Sequence, residues 1–129
     1  MTRKGDSNPS QQTRVYIANK RKADIFVSIH INSFIKPYAY GTETLYYKSK
    51  DRALSNAIHK NLVSSIKRYD KGQKRAGMYV LKYTTMPAVL VEPCFISNPT
   101  ESHLLKTPQF RDKIAKGVFN GIEAYFNNN

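Results

Sequence analysis

Acidic side chains are scarce in this sequence. Nine aspartates and glutamates stand against 21 lysines and arginines in 129 residues, which leaves a formal net charge of +12 and a pI near 9.9. An excess of that size calls for a polyanionic partner. Nucleic acid, anionic lipid and the anionic polymers of a bacterial cell wall all meet that description, and charge alone does not choose among them. Cysteine is nearly absent: with Cys94 as its one copy, the chain forms no internal disulfide, and the redox compartment is left open. Long hydrophobic runs are missing as well. No apolar stretch approaches the ~20 residues of a membrane span, and the N-terminus carries no secretory hydrophobic segment. Internal repeats and low-complexity linkers are also lacking. Residues 1–129 therefore read as one domain, large enough to bury a single core without staples.

The most informative stretch that is present runs Ala23-Asp24-Ile25-Phe26-Val27-Ser28-Ile29-His30-Ile31-Asn32-Ser33. Apolar residues fill both faces from Ile25 to Ile29 and β-branched types dominate, the pattern of a strand buried inside a parallel sheet. Ser28, His30, Asn32 and Ser33 gather at its C-terminal end, where open α/β sheets hold their ligands. An imidazole delivered there is a candidate metal or catalytic group; the competing reading is a core histidine satisfied by a backbone partner. A second run of the same design, Ala88-Val89-Leu90-Val91-Glu92, ends in a carboxylate and shifts the balance toward a site.

Taken in order, the remaining segments alternate helix and strand. Asn8-Pro9 predicts a helix start, with Ser7 or Asn8 as cap and Pro9 in the first turn, continuing to about Lys22 with Val15, Ala18 and the Lys22 stem on one face. A loop with Pro37 and three aromatics spans Phe34 to Tyr40, and Gly41 to Tyr47 reads as an amphipathic strand. From Asp51 to Tyr69, Leu54, Ala57, Ile58, Leu62, Ile66 and Tyr69 recur at helical spacing. His59 lies at the edge of that stripe and is expected to face solvent. Asp70 to Gly77 reads as a basic loop, and Met78 to Lys82 as a short strand. Thr100 is the expected cap of a short helix carrying Glu101 and His103, and Thr107-Pro108 opens a last helix whose Phe110, Ile114, Val118, Ile122 and Tyr125 form one face. Asn127 to Asn129 reads as a frayed tail. The alternation implies an α/β three-layer sandwich, helices on both faces of a mainly parallel sheet of three or four strands.

Together these segments resemble the catalytic domain of the zinc-dependent N-acetylmuramoyl-L-alanine amidases, a bacterial and phage cell-wall hydrolase family. The likeness begins at Thr2-Arg3 and Asp6, continues through Arg14, Ala18-Asn19 and Ala23-Asp24, and is strongest in Ser28 to Ser33 and in Gly41-Thr42-Glu43 with Tyr46-Tyr47. It returns in Tyr79-Val80-Leu81, Met86 to Glu92 and Phe95-Ile96-Ser97-Asn98, and closes in the final helix. The resemblance implies a zinc ligand at His30 and a catalytic carboxylate at Glu92. Zinc would lower the pKa of a bound water, and the carboxylate would move its proton to the leaving amine as general acid and base. The bond cleaved would be the amide between N-acetylmuramic acid and the L-alanine of the stem peptide. Asn32, Ser33, Glu43 and Asn98 are expected to orient the site or touch substrate. Peptidoglycan and anionic wall polymers are the implied partners, and the cell wall or the extracellular space the implied location.

One departure from the family accompanies the likeness. Its members carry an earlier strand, ending in a loop with glycine and histidine, and then a glutamate; that histidine and that glutamate are the other two zinc ligands. Neither has a counterpart here, so the chain is expected to start at an internal methionine and to lack the family's first strands and helix. His59, His103, Glu43 and Asp24 show no ligand spacing with His30. Loss of a strand predicts self-association through exposed sheet surface. A Cys-His hydrolase built on Cys94 has no evident base, and a free buried cysteine more often packs as a small hydrophobe. The alternative class of function is a non-catalytic basic binding module for peptidoglycan or nucleic acid. Lys20-Arg21-Lys22, Lys67-Arg68 and Lys71 to Arg75 supply phosphate-binding charge, though no known nucleic-acid motif accompanies them.

Overall fold

In the computed structural model, which describes residues 1–128, the chain forms a four-stranded sheet covered by helices on both sides. The elements are α1 (Gln11–Lys20), β1 (Phe26–Ile29), β2 (Thr42–Tyr46), α2 (Arg52–Ile66), β3 (Asp70–Arg75), α3 (Tyr79–Lys82), β4 (Ala88–Glu92), α4 (Pro99–Leu105) and α5 (Pro108–Asn127). The strand order is β1-β4-β2-β3. β1 runs parallel to β4 and β2 parallel to β3, while β2 and β4 are antiparallel. The sheet is thus mostly parallel, as expected, with one antiparallel seam at its centre.

β4 is the keystone of the core. Its alternate side chains serve two different layers, as the period-2 geometry of a strand dictates. Val89 and Val91 pack with Leu54, Ile58 and Leu62 of α2 and with Phe110, Ile114 and Val118 of α5. Ala88 and Leu90 pack on the other face with Val15 and Ala18 of α1 and with Val80 and Leu81 of α3. Leu54, Ile58 and Leu62 are fully buried, each contributing about 1.5–3 kcal/mol relative to exposure. The close approach of α2 and α5 depends on two helical glycines. A Cβ on Gly121 would lie 2.5 Å from Ile58 Cα, and one on Gly117 2.9 Å from Leu62 Cα.

Several local expectations are corrected. β1 sits at a sheet edge with β4 as its one neighbour, so Ile29 is 52% exposed and the His30 strand is not buried on both faces. Helix α1 starts at Gln11, with Ser10 accepting from the Thr13 N–H, rather than near Pro9. It stops before Lys22, which takes a left-handed φ of 49°. Helix α2 ends at Ile66 with Lys67 at φ 52°, which frees Tyr69 from the apolar stripe. Asp70–Arg75 is a strand rather than a loop, because β2 offers its free edge to it. Tyr79–Lys82 is a helical turn rather than a strand, which lets both Val80 and Leu81 turn into the core. Asn98, not Thr100, caps α4. Helix α5 continues to Asn127, and Asn129 lies outside the described residues.

His59 is the clearest correction. It is buried rather than solvent-facing, its ring held between Thr44 Oγ1 at 2.9 Å and Asp70 Oδ1 at 2.7 Å. The side of α2 that a lone helix would leave wet is covered by β3. Since β3 is polar throughout, no hydrophobic period announces it.

Candidate active site

Strand pairing brings together three residues singled out in the sequence. Ser28 pairs with Leu90 and Ile29 with Val91 across β1 and β4, and the His30 N–H donates to Val91 O at 2.9 Å. One step further along both strands come His30 and Glu92. Alternation places them on the face of Phe26, Ser28 and Leu90, toward α1 and α3. On the other side of β4, Glu43 pairs directly with Glu92. His30, Glu92 and Glu43 therefore form a row across three adjacent strands at the C-terminal ends of β1 and β4, the edge at which open α/β sheets bind ligands.

Ser28, His30 and Leu90 share a cavity of about 260 Å³ with Asn8, Pro9, Ser10, Gln11 and Arg14 from the start of α1 and with Met78 and Val80. Arg14 is fixed at its rim by hydrogen bonds to Pro9 O at 3.0 Å and Asn8 Oδ1 at 3.1 Å. Burial raises the Glu92 carboxyl above the ordinary carboxylate range, and the charge of Glu43 adds to the effect. A half-buried carboxyl that holds its proton more tightly than usual is a stronger general base than an ordinary carboxylate.

The other expected residues take supporting positions. Asn32 forms a bridge with Phe95 through its backbone, and its Oδ1 accepts from the Ser33 N–H at 2.9 Å. Asn98 is occupied in the frame: its Oδ1 accepts from the Glu101 N–H at 3.0 Å and its Nδ2 donates to Pro37 O at 3.1 Å. Cys94 is buried, and burial, ahead of the charge of Glu101, pushes its thiol up to about 12. It is no nucleophile at neutral pH.

The sequence places Glu101 on a short helix but does not show its part in the frame. Glu101 is fully buried and gathers donors from three segments. Its carboxylate accepts from the Gly41 N–H (3.1 and 3.2 Å), the Phe95 N–H (2.8 Å) and Arg68 Nε (2.7 Å). It thereby ties the loop after Glu92 to the residues just before Glu43. Gly41, at φ 114°, has no room for a side chain, since a Cβ would lie 2.7 Å from Tyr69 O. The pattern Asn98-Pro99-Thr100-Glu101 carries the signal of a capping box, which would have placed the helix start correctly. Nothing local shows that the carboxylate reaches past its own helix.

The zinc implied by the resemblance does not find a complete donor set. Among the described residues no group of three His, Cys, Asp or Glu side chains is arranged to hold a metal ion, whereas a catalytic zinc site needs about three protein ligands. His30 supplies a single imidazole; Glu92 stands on the neighbouring strand and Glu43 one strand further away.

The chain is similar to known proteins along nearly its whole length. The chain is 37% identical over 142 residues to an uncharacterized cell wall amidase of Bacillus anthracis, covering 98% of this chain and 27% of the relative. It is 35% identical over 130 residues to N-acetylmuramoyl-L-alanine amidase LytC of Bacillus subtilis, covering 98% of this chain and 26% of that protein. The chain thus spans about a quarter of the length of these two relatives. Among solved structures, the catalytic domain of the N-acetylmuramoyl-L-alanine amidase CwlV from Bacillus (Paenibacillus) polymyxa superposes with a TM-score of 0.95 at 36% identity. That match covers 98% of this chain and 70% of the CwlV chain. Residues 1–124 match the sequence model of one family along nearly the whole chain. That family is the N-acetylmuramoyl-L-alanine amidases, to which this chain belongs.

Proposed function

We propose that this chain acts on peptidoglycan, hydrolysing the amide between the lactyl group of N-acetylmuramic acid and the L-alanine of the stem peptide. The observation that carries the reading is Glu92: a carboxyl of raised pKa at the end of the most deeply buried strand, aligned with His30 and Glu43. In this reading Glu92 accepts a proton from the attacking water as its oxygen bonds to the amide carbon. It returns that proton to the nitrogen as the C–N bond breaks, so the products are a carboxylic acid and the free amine of L-alanine. Burial, with the charge of Glu43 adding to it, keeps the Glu92 proton affinity high, and Asn32 and Ser33 order the strand end beside His30. His30 offers one imidazole, and the described residues do not complete a zinc donor set around it, so the proton transfers rest on Glu92.

The location proposed is the cell wall, in keeping with the cell wall amidase name of the Bacillus anthracis relative; no described helix is long and apolar enough to cross a membrane. The +12 charge suits an anionic wall. The same charge, with the incomplete donor set, favours a second reading in which the chain holds wall polymer without cutting it. Purified peptidoglycan separates the two. Incubated with the chain, with and without added zinc, the polymer should release stem peptides with new L-alanine N-termini, in a reaction lost in Glu92→Gln. Retention of the chain on the polymer with no new amines would overturn the hydrolase reading. Zinc binding that is unchanged in His30→Ala would remove His30 from the metal.

A further inference from the structure

The candidate catalytic row is not the one concave feature at this edge of the sheet. Phe34, Tyr38, Tyr40, Tyr69 and Phe95, with Lys71, line a groove of about 480 Å³. Phe34, Tyr38, Tyr40 and Tyr69 are 47%, 70%, 46% and 60% exposed, respectively, an unusual concentration of aromatic surface facing water. Tyr40 and Tyr69 lean together with ring centroids 5.5 Å apart, and the Lys71 amine lies 5.6 Å from the centre of the Phe95 ring.

We propose that this groove is a binding subsite for an N-acetylated sugar of the glycan strand, next to the one whose amide is cut. The inference rests on the reading of the chain as a peptidoglycan amidase. Three observations support it. The groove adjoins the catalytic row: Tyr40 precedes Glu43 by three residues and Phe95 follows Glu92 by three, a reach of about 10 Å in extended chain, which a neighbouring sugar of the same strand covers. Its walls are prebuilt. Glu101 holds Gly41 and Phe95, Asn98 holds Pro37, and the Phe34 N–H donates to Ser97 Oγ at 2.9 Å, so little ordering remains to oppose binding.

The third is chemistry. A pyranose presents apolar C–H faces that lie flat on aromatic rings, and its hydroxyl and acetamido groups take hydrogen bonds at the rim. Lys71 is the one charged wall residue, a donor for an acetamido carbonyl or a hydroxyl. A phosphate polymer, or a stem peptide with free carboxylates, would call for several cations here. One amine among five rings favours a neutral amino sugar.

The test uses the whole chain with tri-N-acetylchitotriose as probe, followed by tyrosine fluorescence or NMR. Tyr69→Ala and Tyr40→Ala should weaken probe affinity about tenfold, while Tyr69→Phe, which keeps the ring, should bind like the parent. On peptidoglycan the alanine variants should raise KM and leave kcat little changed. No binding of the probe, equal affinity in parent and alanine variants, or loss of a stem tetrapeptide's binding in its place would each overturn the subsite. Ring-dependent sugar binding without amide cleavage would keep the subsite and overturn the amidase reading. Cleavage with ring-independent sugar affinity would do the reverse.

Discussion

Glu43 and Glu92 face each other as directly paired residues on the antiparallel strands β2 and β4. Like charges directly opposite one another across a sheet are destabilising, and here the second carboxylate is also half buried. Burial first, and the Glu43 charge second, raise the Glu92 pKa. The native state therefore binds this proton more tightly than the unfolded chain does. The charged form costs stability above the native pKa, and that cost vanishes as pH falls below the ordinary carboxylate range. Such a pair persists where function needs it.

Glu92→Gln should lower amide release by about 10²- to 10⁴-fold. The same variant should unfold at a higher urea concentration than the parent at pH 7, with the difference closing toward pH 4. Glu43→Gln should shift the acidic limb of the pH–rate profile to lower pH without moving it to the position of a free carboxylate, since burial is the larger cause. A limb that stays in place would remove Glu43 from the account.

Glu101→Ala should destabilise the fold by about 3–5 kcal/mol, because it strands Arg68 and leaves the Gly41 and Phe95 N–H groups without their acceptor. Glu101→Gln, which keeps an acceptor of the same shape, should lose less. Urea denaturation followed by circular dichroism measures both.

Asp70 carries the opposite sign from Glu92. Its hydrogen bond to His59 holds its carboxyl below the ordinary value of 3.8. The stability it adds is present above that value and is lost as pH falls through the lower native one. The carboxylate is 54% exposed, so solvent screens the pair, and Asp70→Asn should cost no more than about 1 kcal/mol at pH 7. That gap should narrow below pH 3.8. Thermal melts of parent and variant across this range decide it.

Gly121→Ala should destabilise by about 1–3 kcal/mol, since the added methyl would meet the α2 backbone at Ile58 rather than a movable side chain. A neutral result in chemical denaturation would mean that α2 and α5 separate freely.

Among the described strands β1 lies at the sheet edge, and its Ile29 is exposed, so concentration-dependent association is the expected behaviour. Sedimentation should show Ile29→Lys shifted toward monomer. Equal association in both proteins would place the contact elsewhere.

How far the sequence reached differs from element to element. Local pattern was enough for β4, whose continuous apolar run has no other home than the centre of a sheet, and for the buried stripes of α2 and α5. It was enough to single out His30 and Glu92 as polar ends of apolar strands, and the ordered set of short motifs pointed to the amidase family. Tertiary structure decided what local pattern does not encode. β3 is a strand because β2 offers it hydrogen bonds, and its arrival turns His59 from a surface residue into a buried one. Glu43 meets Glu92 because β2 runs antiparallel to β4, an orientation no residue in either strand specifies. Glu101 reaches Gly41 and Phe95, 60 and 6 residues away along the chain, and only the folded chain brings those donors together. Apolar periodicity records what each segment buries; which partner it is buried against is settled when the whole chain closes.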